Sequence, residues 1–193
     1  MKVFHLLIIF VFCFYGCNKA EKMKNKILPE RPYEDAKIDN FYWAVEGWDY
    51  SVIPLIKPFL LIKLQGSEEW ELSTGFNKFD EISISKIDNI NVINNYISGH
   101  KANEIRDFDN RKINIPEYWF IIDTQKGVKT DSPALIKFNN ESEFKAELKK
   151  LNLPEEFLNP DVIFEQYKNN PVLPWFPEDI KKQLEEVKKQ KGN

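Results

Sequence analysis

The order of the secondary-structure signals along the chain constrains its fold more than any other feature of the sequence. Short apolar segments of strand type occupy the middle of the chain, and helical patterns follow only towards the C-terminus. The strongest strand signal is the nearly continuous apolar segment 118–123, which predicts burial on both faces. Because strands followed by helices are typical of α+β domains, we expect an antiparallel β-meander sheet followed by two or three C-terminal helices packed on one of its faces.

Turn-forming residues divide the middle of the chain into further short strands. A strand is predicted over residues 59–64, after an extended segment in which Pro54 and Pro58 exclude a helix interior. Asn94 and Asn95 are expected to form a tight turn between two strands. The charged stretch 102–115 is interpreted as a loop. The remaining predicted strands are residues 69–73, 81–87, 90–93, 96–100 and 134–138.

Helical patterns begin after the last predicted strand. Ser142 is the expected N-cap of a first helix, because apolar residues follow it at helical spacing. Asn159 and Pro160 form a capping pair that begins a second helix. Pro177 precedes a third helix, whose acidic first turn and basic last turn complement the helix dipole. The apolar stripe of this third helix is narrow, which favours a position on the surface of the sheet.

The first residues of the chain have the pattern of an export signal. Lys2 is followed by the unbroken apolar run 6–14, which is too short to span a bilayer comfortably. Gly16 directly precedes Cys17, and a polar segment follows. This arrangement resembles the lipobox of bacterial lipoproteins, and the resemblance implies cleavage before Cys17 and acylation of its sulfur. An ordinary cleaved signal and an uncleaved anchor are the alternatives.

The lipobox resemblance divides the chain into three parts. Residues 1–16 are the expected signal peptide, residues 17–39 a flexible tether that is charged and carries prolines, and residues 40–193 a single α+β domain. Acyl chains on Cys17 would attach the protein to a membrane, since two or three chains together hold firmly. We therefore expect a membrane-anchored lipoprotein of the cell envelope, at the outer membrane or facing the periplasm.

Charge and composition restrict the possible functions. The formal net charge of -3 argues against a nucleic acid partner and against a polybasic contact with lipid. Once the signal is removed and Cys17 is acylated, His100 is the sole histidine and no free thiol remains. His100 is expected to be a surface or hydrogen-bonded residue, and no nucleophile elbow, phosphate loop or Cys-x-x-Cys pair accompanies it. We therefore expect no enzyme, no catalytic residue, no metal site and no cofactor.

Aromatic and acidic residues are interleaved where the expected domain begins. Such a mixture is typical of carbohydrate-binding surfaces, and paired carboxylates perform the catalysis of glycosidases. Packing of an aromatic strand in the core and at its rim explains the same pattern. Trp175, which lies between two prolines, is either an anchor for a partner or a plug against the sheet. The candidate ligand or partner surface comprises Trp43, Glu46, Trp48, Asp49 and Trp175, with Tyr42 and Tyr50 beside them.

Three apolar segments, residues 53–59, 118–124 and 173–175, resemble segments of small, uncharacterised bacterial lipoproteins of the domain-of-unknown-function type. The resemblance implies no activity and no site residue. The sparse set of polar motifs favours a non-enzymatic binding module, with an unknown protein or a glycan as its partner. One alternative is an immunity or inhibitor protein against a secreted toxin, suggested by small size, acidity and anchoring. The other is a small glycan-active enzyme that uses Glu46 and Asp49.

Overall fold

Strands come first and helices last in the part of the chain that the structure describes. The computed structural model describes residues 35, 37–43, 49–74, 82–109, 111–126 and 135–191. The strands are β1 (Tyr50–Pro54), β2 (Leu60–Leu64), β3 (Trp70–Ser73), β4 (Ser83–Ile93), β5 (Tyr96–Lys101), β6 (Glu104–Phe108), β7 (Arg111–Ile115), β8 (Tyr118–Asp123) and β9 (Leu135–Phe138). The helices are a short 3-10 helix (Asn40–Tyr42), α1 (Glu141–Lys150), α2 (Pro160–Asn169) and α3 (Glu178–Lys191). The predicted α+β order is confirmed.

A seven-stranded antiparallel sheet forms the centre of the domain. Its strands lie in the order β1-β2-β3-β4-β5-β8-β9, and each pairs with its neighbour in antiparallel register. Asn94 has a φ of 53° in the predicted tight turn between β4 and β5, a backbone conformation that asparagine tolerates better than most residues. The predicted meander is therefore confirmed, with one hairpin inserted between β5 and β8.

The inserted hairpin corrects the interpretation of residues 102–115 as a loop. Strands β6 and β7 pair with each other as a separate two-stranded sheet. One pair of opposite charges, Asp107 and Lys112, lies directly across the ribbon. Ile105 and Ile113 are both exposed, so neither face of the ribbon has the buried apolar row that identifies a strand in a sequence. Because the hairpin is solvated on both faces, its charged sequence does not have the pattern that predicts a strand.

The proline-bearing segment before residue 59 also forms a strand. Strand β1 lies at the edge of the sheet and ends at Pro54. Proline is accepted there because the outer side of an edge strand needs no N–H donor for a neighbouring strand. Segments 81–87 and 90–93, predicted as two strands, are joined into the single strand β4 by a bulge between Ile87 and Asn89.

The helices begin at asparagine caps. Asn140, and not the predicted Ser142, caps α1, since its side chain accepts a hydrogen bond of 2.9 Å from the backbone N–H of Glu143. Ser142 lies within the first turn of the helix. Asn159 caps α2 as predicted and accepts a hydrogen bond of 2.8 Å from the backbone N–H of Asp161.

The two faces of the sheet pack against different helices. On one face, Phe120 and Ile122 belong to the main hydrophobic core, to which α2 and α3 contribute their apolar stripes. On the opposite face, Ile121 packs with Phe144 and Leu148 of α1. The expectation of helices on a single face is therefore wrong. Strand β8 is apolar on both sides, and burial of both sides requires a helix on each.

Gly99 lies in the middle of β5, where the backbone of β4 and a core ring approach it closely. A Cβ atom at this position would lie 2.5 Å from the backbone oxygen of Asn89 and 2.9 Å from Cζ of Phe120. Gly66 has a different constraint, because a Cβ atom there would meet nothing within 4 Å while its φ is 81°. The first glycine is needed for space, and the second for backbone conformation.

The substitution Gly99→Ala is expected to lower the free energy of unfolding by about 3 kcal/mol or more, because a backbone oxygen cannot move aside without disturbing the β4–β5 ladder. Gly66→Ala is the matched control and is expected to cost about 1–2 kcal/mol from backbone strain alone. Urea denaturation of both variants measures the difference. Equal losses would contradict the close approach at Gly99.

A buried ion network fixes the base of the inserted hairpin. The Glu104 carboxylate accepts hydrogen bonds from Nε of Arg106 and, at 2.8 Å, from Oγ of Ser85, and it lies 3.6 Å from Nζ of Lys101. The hydrogen bond from Arg106 is the main cause that lowers the pKa of Glu104. Burial lowers the pKa of Lys101, although Glu104 opposes that shift. The network therefore favours an ionised Glu104 in the folded protein.

Because the pKa of Glu104 is lower in the folded than in the unfolded chain, its ionisation stabilises the fold above its unfolded pKa of about 4.3. This contribution is lost as the pH falls through the folded-state pKa. We expect Glu104→Gln to destabilise the protein by about 1–3 kcal/mol at pH 7 and to flatten the acid limb of stability against pH. Urea midpoints from pH 7 to pH 3 measure both effects.

Glu186→Gln is the control for this measurement, because Glu186 is exposed on α3. That variant is expected to keep the stability of the parent protein at pH 7 and the shape of its acid limb. An unchanged acid limb in Glu104→Gln would show that other carboxylates account for the pH dependence.

Candidate functional site

The residues of the sequence-predicted surface have different positions in the fold. Trp43 is only 8% exposed, and its Nε1–H donates a hydrogen bond of 3.0 Å to the backbone oxygen of Ile38. Trp43 is therefore a core residue and has no open ring face for a ligand. Glu46 and Trp48 lie outside the described residues, as do Cys17, the expected signal peptide and most of the tether.

Trp175 joins the segment before α3 to the edge strand. Its ring is half-buried against the main core, and its Nε1–H donates a hydrogen bond of 3.0 Å to the backbone oxygen of Pro54. A tryptophan held in this way closes the end of β1. The position corresponds to the plug interpretation and not to that of an exposed anchor.

Asp49 lies beside an open apolar depression, which we call the edge groove. The groove has a volume of about 570 Å³. It lies on the same face of the sheet as α1, which covers the opposite end of that face, over β8 and β9. Tyr50 is 38% exposed and Leu64 is 61% exposed at its mouth. The lining residues are Asp39, Asn40, Phe41, Asp49, Tyr50, Val52, Lys57, Leu60, Ile62 and Leu64.

The register of β1 with β2 builds this groove. Tyr50 pairs with Leu64, Val52 with Ile62, and Pro54 with Leu60. Because side chains alternate between the faces of a strand, these partners all point to the same side of the sheet. The intervening residues of both strands, such as Ile53 and Leu61, face the main core instead.

Charged groups mark the two ends of the edge groove. At the β1–β2 turn, the Asp39 carboxylate accepts hydrogen bonds from Nζ of Lys57 and, at 3.0 Å, from the backbone N–H of Phe41. The hydrogen bond from Lys57 is the main cause that lowers the pKa of Asp39. Asp49, at the opposite end of β1, is exposed and forms no ion pair with any described residue. Among the described residues, no cation therefore compensates the Asp49 carboxylate at this end of the groove.

The outer edge of β1 offers backbone groups for pairing. Hydrogen bonds from Gln65 N–H to Asp49 O, at 2.7 Å, and from Leu55 N–H to Phe59 O, at 3.0 Å, show that the odd-numbered residues of this segment face β2. The N–H and C=O groups of Tyr50 and Val52 therefore point outwards. Within the described ranges, no hydrogen bond reaches these outer groups.

A second depression, which we call the histidine pocket, lies on the same sheet face between α1 and strands β4, β5 and β8. It encloses about 450 Å³. Nδ1 of His100 lies 2.8 Å from the Asp88 carboxylate, and the imidazole packs against the indole of Trp119 with ring centroids 4.8 Å apart and planes tilted by 41°. The lining residues are Asp88, Asn89, Gly99, His100, Trp119, Glu141, Phe144, Lys145, Glu155 and Phe157.

The Nε2 atom of His100 differs from Nδ1 in its surroundings. It is shielded from solvent and has no hydrogen-bond partner among the described residues. The nearest carboxylate oxygen, on Glu117, lies at 3.9 Å, beyond hydrogen-bond distance. The described ranges contain no group of three or more His, Cys, Asp or Glu side chains placed to hold a metal ion. His100 is a hydrogen-bonded histidine, as expected, and it lies in the wall of a cavity.

Comparison of the chain with protein-family models, with curated proteins and with solved structures finds no match. Among the helices of the described ranges, none is both long and apolar enough to cross a membrane. Any functional interpretation therefore depends on the two depressions and their chemistry.

Sequence reasoning named Asp49 and Tyr50 of the edge groove, singled out His100 as a surface or hydrogen-bonded residue without a binding role, and missed the other residues of both sites. The apolar stretch 52–64 has hydrophobic residues on both faces of its strands, so the pattern alone does not show which face stays open. His100 and Asp88 meet only because β4 and β5 pair in a register that a bulge has shifted. Only the register of the paired strands shows that these two residues are neighbours, and the amino-acid composition does not reveal that register.

The position of Trp175 predicts a stability effect. Trp175→Phe keeps an aromatic ring and removes the hydrogen bond to Pro54, and we expect it to lower the free energy of unfolding by about 1–2 kcal/mol. Urea denaturation measures the loss. Tyr50→Phe, which alters an exposed ring on the same strand, is the control and is expected to change stability by less than about 0.5 kcal/mol. A Trp175→Phe protein of parental stability would indicate an exposed anchor.

Proposed function

We propose that this protein is a lipid-anchored protein of the bacterial cell envelope that binds an extended segment of another protein along β1. The observation that carries the proposal is the meeting of an open apolar groove with a strand edge that pairs with no described segment, both provided by Tyr50 and Val52. An edge strand alone is a common feature of sheets. An edge strand whose side chains also line an apolar groove offers backbone and side-chain recognition together.

The backbone of β1 would determine the conformation of the ligand. A segment added to this edge takes up the outward N–H and C=O groups of Tyr50 and Val52 as a new strand of the sheet. Every second side chain of that segment then points to the groove side, because strand side chains alternate. The ligand is therefore an extended peptide with apolar residues at alternate positions.

Charge favours one kind of ligand end. Asp49 is unpaired in the described part of the chain, whereas Lys57 at the other end of β1 is already bound to Asp39. A lysine or arginine of the ligand that reached Asp49 would gain an ion pair without breaking one. Because the groove is open to solvent, this contact adds only about 0.2–1 kcal/mol and determines orientation more than affinity.

The size of the site implies modest affinity. Two residues of β1 offer at most four outward hydrogen bonds, each with a net contribution of about 1 kcal/mol. Two apolar side chains in the groove add about 1.5–3 kcal/mol each, and the loss of ligand freedom offsets much of the sum. We expect a dissociation constant on the order of 10–100 µM for a single peptide.

Membrane attachment would compensate for modest affinity. If Cys17 is acylated, the protein and any partner in the same membrane share a thin layer, which raises their effective concentration. The groove is walled by Asp39, the last residue of the expected tether, and by Asn40 and Phe41, which follow it directly. This connection supports a partner that is itself an envelope protein.

The proposal is tested with an array of hexapeptides that alternate apolar and polar residues and carry lysine or glutamate at one end. We expect the full-length protein, solubilised in mild detergent, to bind lysine-terminated peptides. Fluorescence anisotropy titrations are expected to give dissociation constants on the order of 10–100 µM. Val52→Pro removes one outward N–H, at a place where an edge strand accepts proline, and is expected to weaken binding at least about tenfold.

Val52→Ala is the matched control, because it also shortens the side chain but keeps the N–H donor. It is expected to bind more tightly than Val52→Pro, and the thermal midpoints of both proteins show that they are folded. Equal binding by the two variants, or no binding to any peptide of the array, would refute strand addition. Binding to an oligosaccharide array in place of the peptides would favour the glycan alternative.

A further inference from the structure

We propose that the histidine pocket binds a small organic cation, a primary amine or a guanidinium on a short aliphatic chain. The histidine pocket shares no lining residue with the edge groove. The present proposal therefore does not depend on the peptide-binding proposal. The pocket has the volume expected of a small-molecule site, which exceeds that of a single bound water. Its walls combine carboxylates with aromatic rings, and each of these features favours a cation.

The charge of the lining residues is the first argument. Three carboxylates, those of Asp88, Glu141 and Glu155, line the pocket together with one ammonium group, that of Lys145. Nζ of Lys145 lies 2.9 Å from the Glu141 carboxylate and 4.0 Å from that of Glu155. One ammonium group is therefore shared by two of the three carboxylates. The three carboxylates are 41–57% exposed and lie at the rim of the cavity, and a cation that enters compensates the remaining negative charge.

The hydrogen-bonding polarity of the wall is the second argument. Nδ1 of His100 lies 2.8 Å from the Asp88 carboxylate, and Nε2 is enclosed with no hydrogen-bond partner among the described residues. The ionised carboxylates of Asp88, Glu141 and Glu155 accept hydrogen bonds and donate none. A ligand rich in N–H donors complements this wall, and an anion does not.

The aromatic part of the wall is the third argument. The indole of Trp119 stacks on the His100 imidazole, and Phe144 and Phe157 line the same cavity. Tryptophan is the best aromatic partner for a cation, with about 0.5–2 kcal/mol per contact. The phenyl rings lie 5.7 Å apart and offer an apolar surface for an aliphatic chain. A guanidinium or ammonium with a short methylene chain matches both surfaces.

The direct test uses agmatine, which carries an ammonium and a guanidinium, with neutral butylurea as its matched control. The chain contains two histidines, His5 and His100, so the imidazole C–H signals in NMR spectra of the full-length protein are few. The His100→Gln protein assigns them. We expect a saturable shift of the His100 signal with agmatine, a dissociation constant on the order of 0.1–1 mM, and no saturable shift with butylurea.

Substitutions in the wall separate the pocket from nonspecific attraction to an acidic protein. Asp88→Asn is expected to weaken agmatine binding at least about tenfold. Glu155→Gln, at a more exposed position, is expected to weaken agmatine binding about threefold. If the Asp88→Asn protein does not fold, the Glu155→Gln protein tests the proposal in its place. Glu186→Gln removes the same charge on exposed α3 and is expected to bind like the parent protein.

Three results would overturn the proposal. They are the absence of saturation up to about 10 mM agmatine, equal weakening by Glu186→Gln and Glu155→Gln, and equal binding of butylurea. The first means that the pocket has no affinity for the cation, and the second that net charge alone attracts it. The third means that the aromatic wall binds any aliphatic chain. None of these results affects peptide binding at β1, which is measured on a different surface.

Discussion

The burial of β8 on both faces is the constraint on which the rest of the structure depends. Phe120, Ile121 and Ile122 are each at most 1% exposed, so neither face of this strand, which is the second from one edge of the sheet, faces solvent. Because apolar surface on both sides must leave water, α2 and α3 cover one face and α1 the other. Helix α1 is short and covers only the β8–β9 end of its face, and both depressions lie on the part of this face that it does not fill.

The two depressions have different chemistry because different strands form their floors. At the β1–β2 end, the open face consists of aliphatic and aromatic side chains, and the strand edge adds unpaired backbone groups. Near α1, the floor is made of His100 and Trp119, with acidic residues from the segments around it. An apolar groove favours an extended peptide, and an acidic aromatic pocket favours a cation. One incompletely covered face thus offers two recognition surfaces.

The elements that sequence reasoning identified are those with a strong local signal. Strand β8 is continuously apolar, and α2 begins with an asparagine cap followed by proline, so neighbouring residues suffice to recognise them. The β6–β7 hairpin was missed because its strands have no buried apolar row, and a cross-strand pair such as Asp107 and Lys112 is not visible along the chain. The cap of α1 was misplaced by two residues because Asn140 and Ser142 are both good capping residues, and geometry selects the first.

The sequence by itself determined the order of the elements, the acidic balance, the meander and the apolar character of its strands, because local patterning and composition control these properties. Only the tertiary structure decided where the two proposed binding surfaces lie. Asp88 and His100 meet through a bulged register, and Trp175 closes the end of β1 at Pro54, 121 positions away in the chain. A one-residue change of register exchanges the two faces of a strand. The open face therefore depends on long-range pairing, which no local pattern contains.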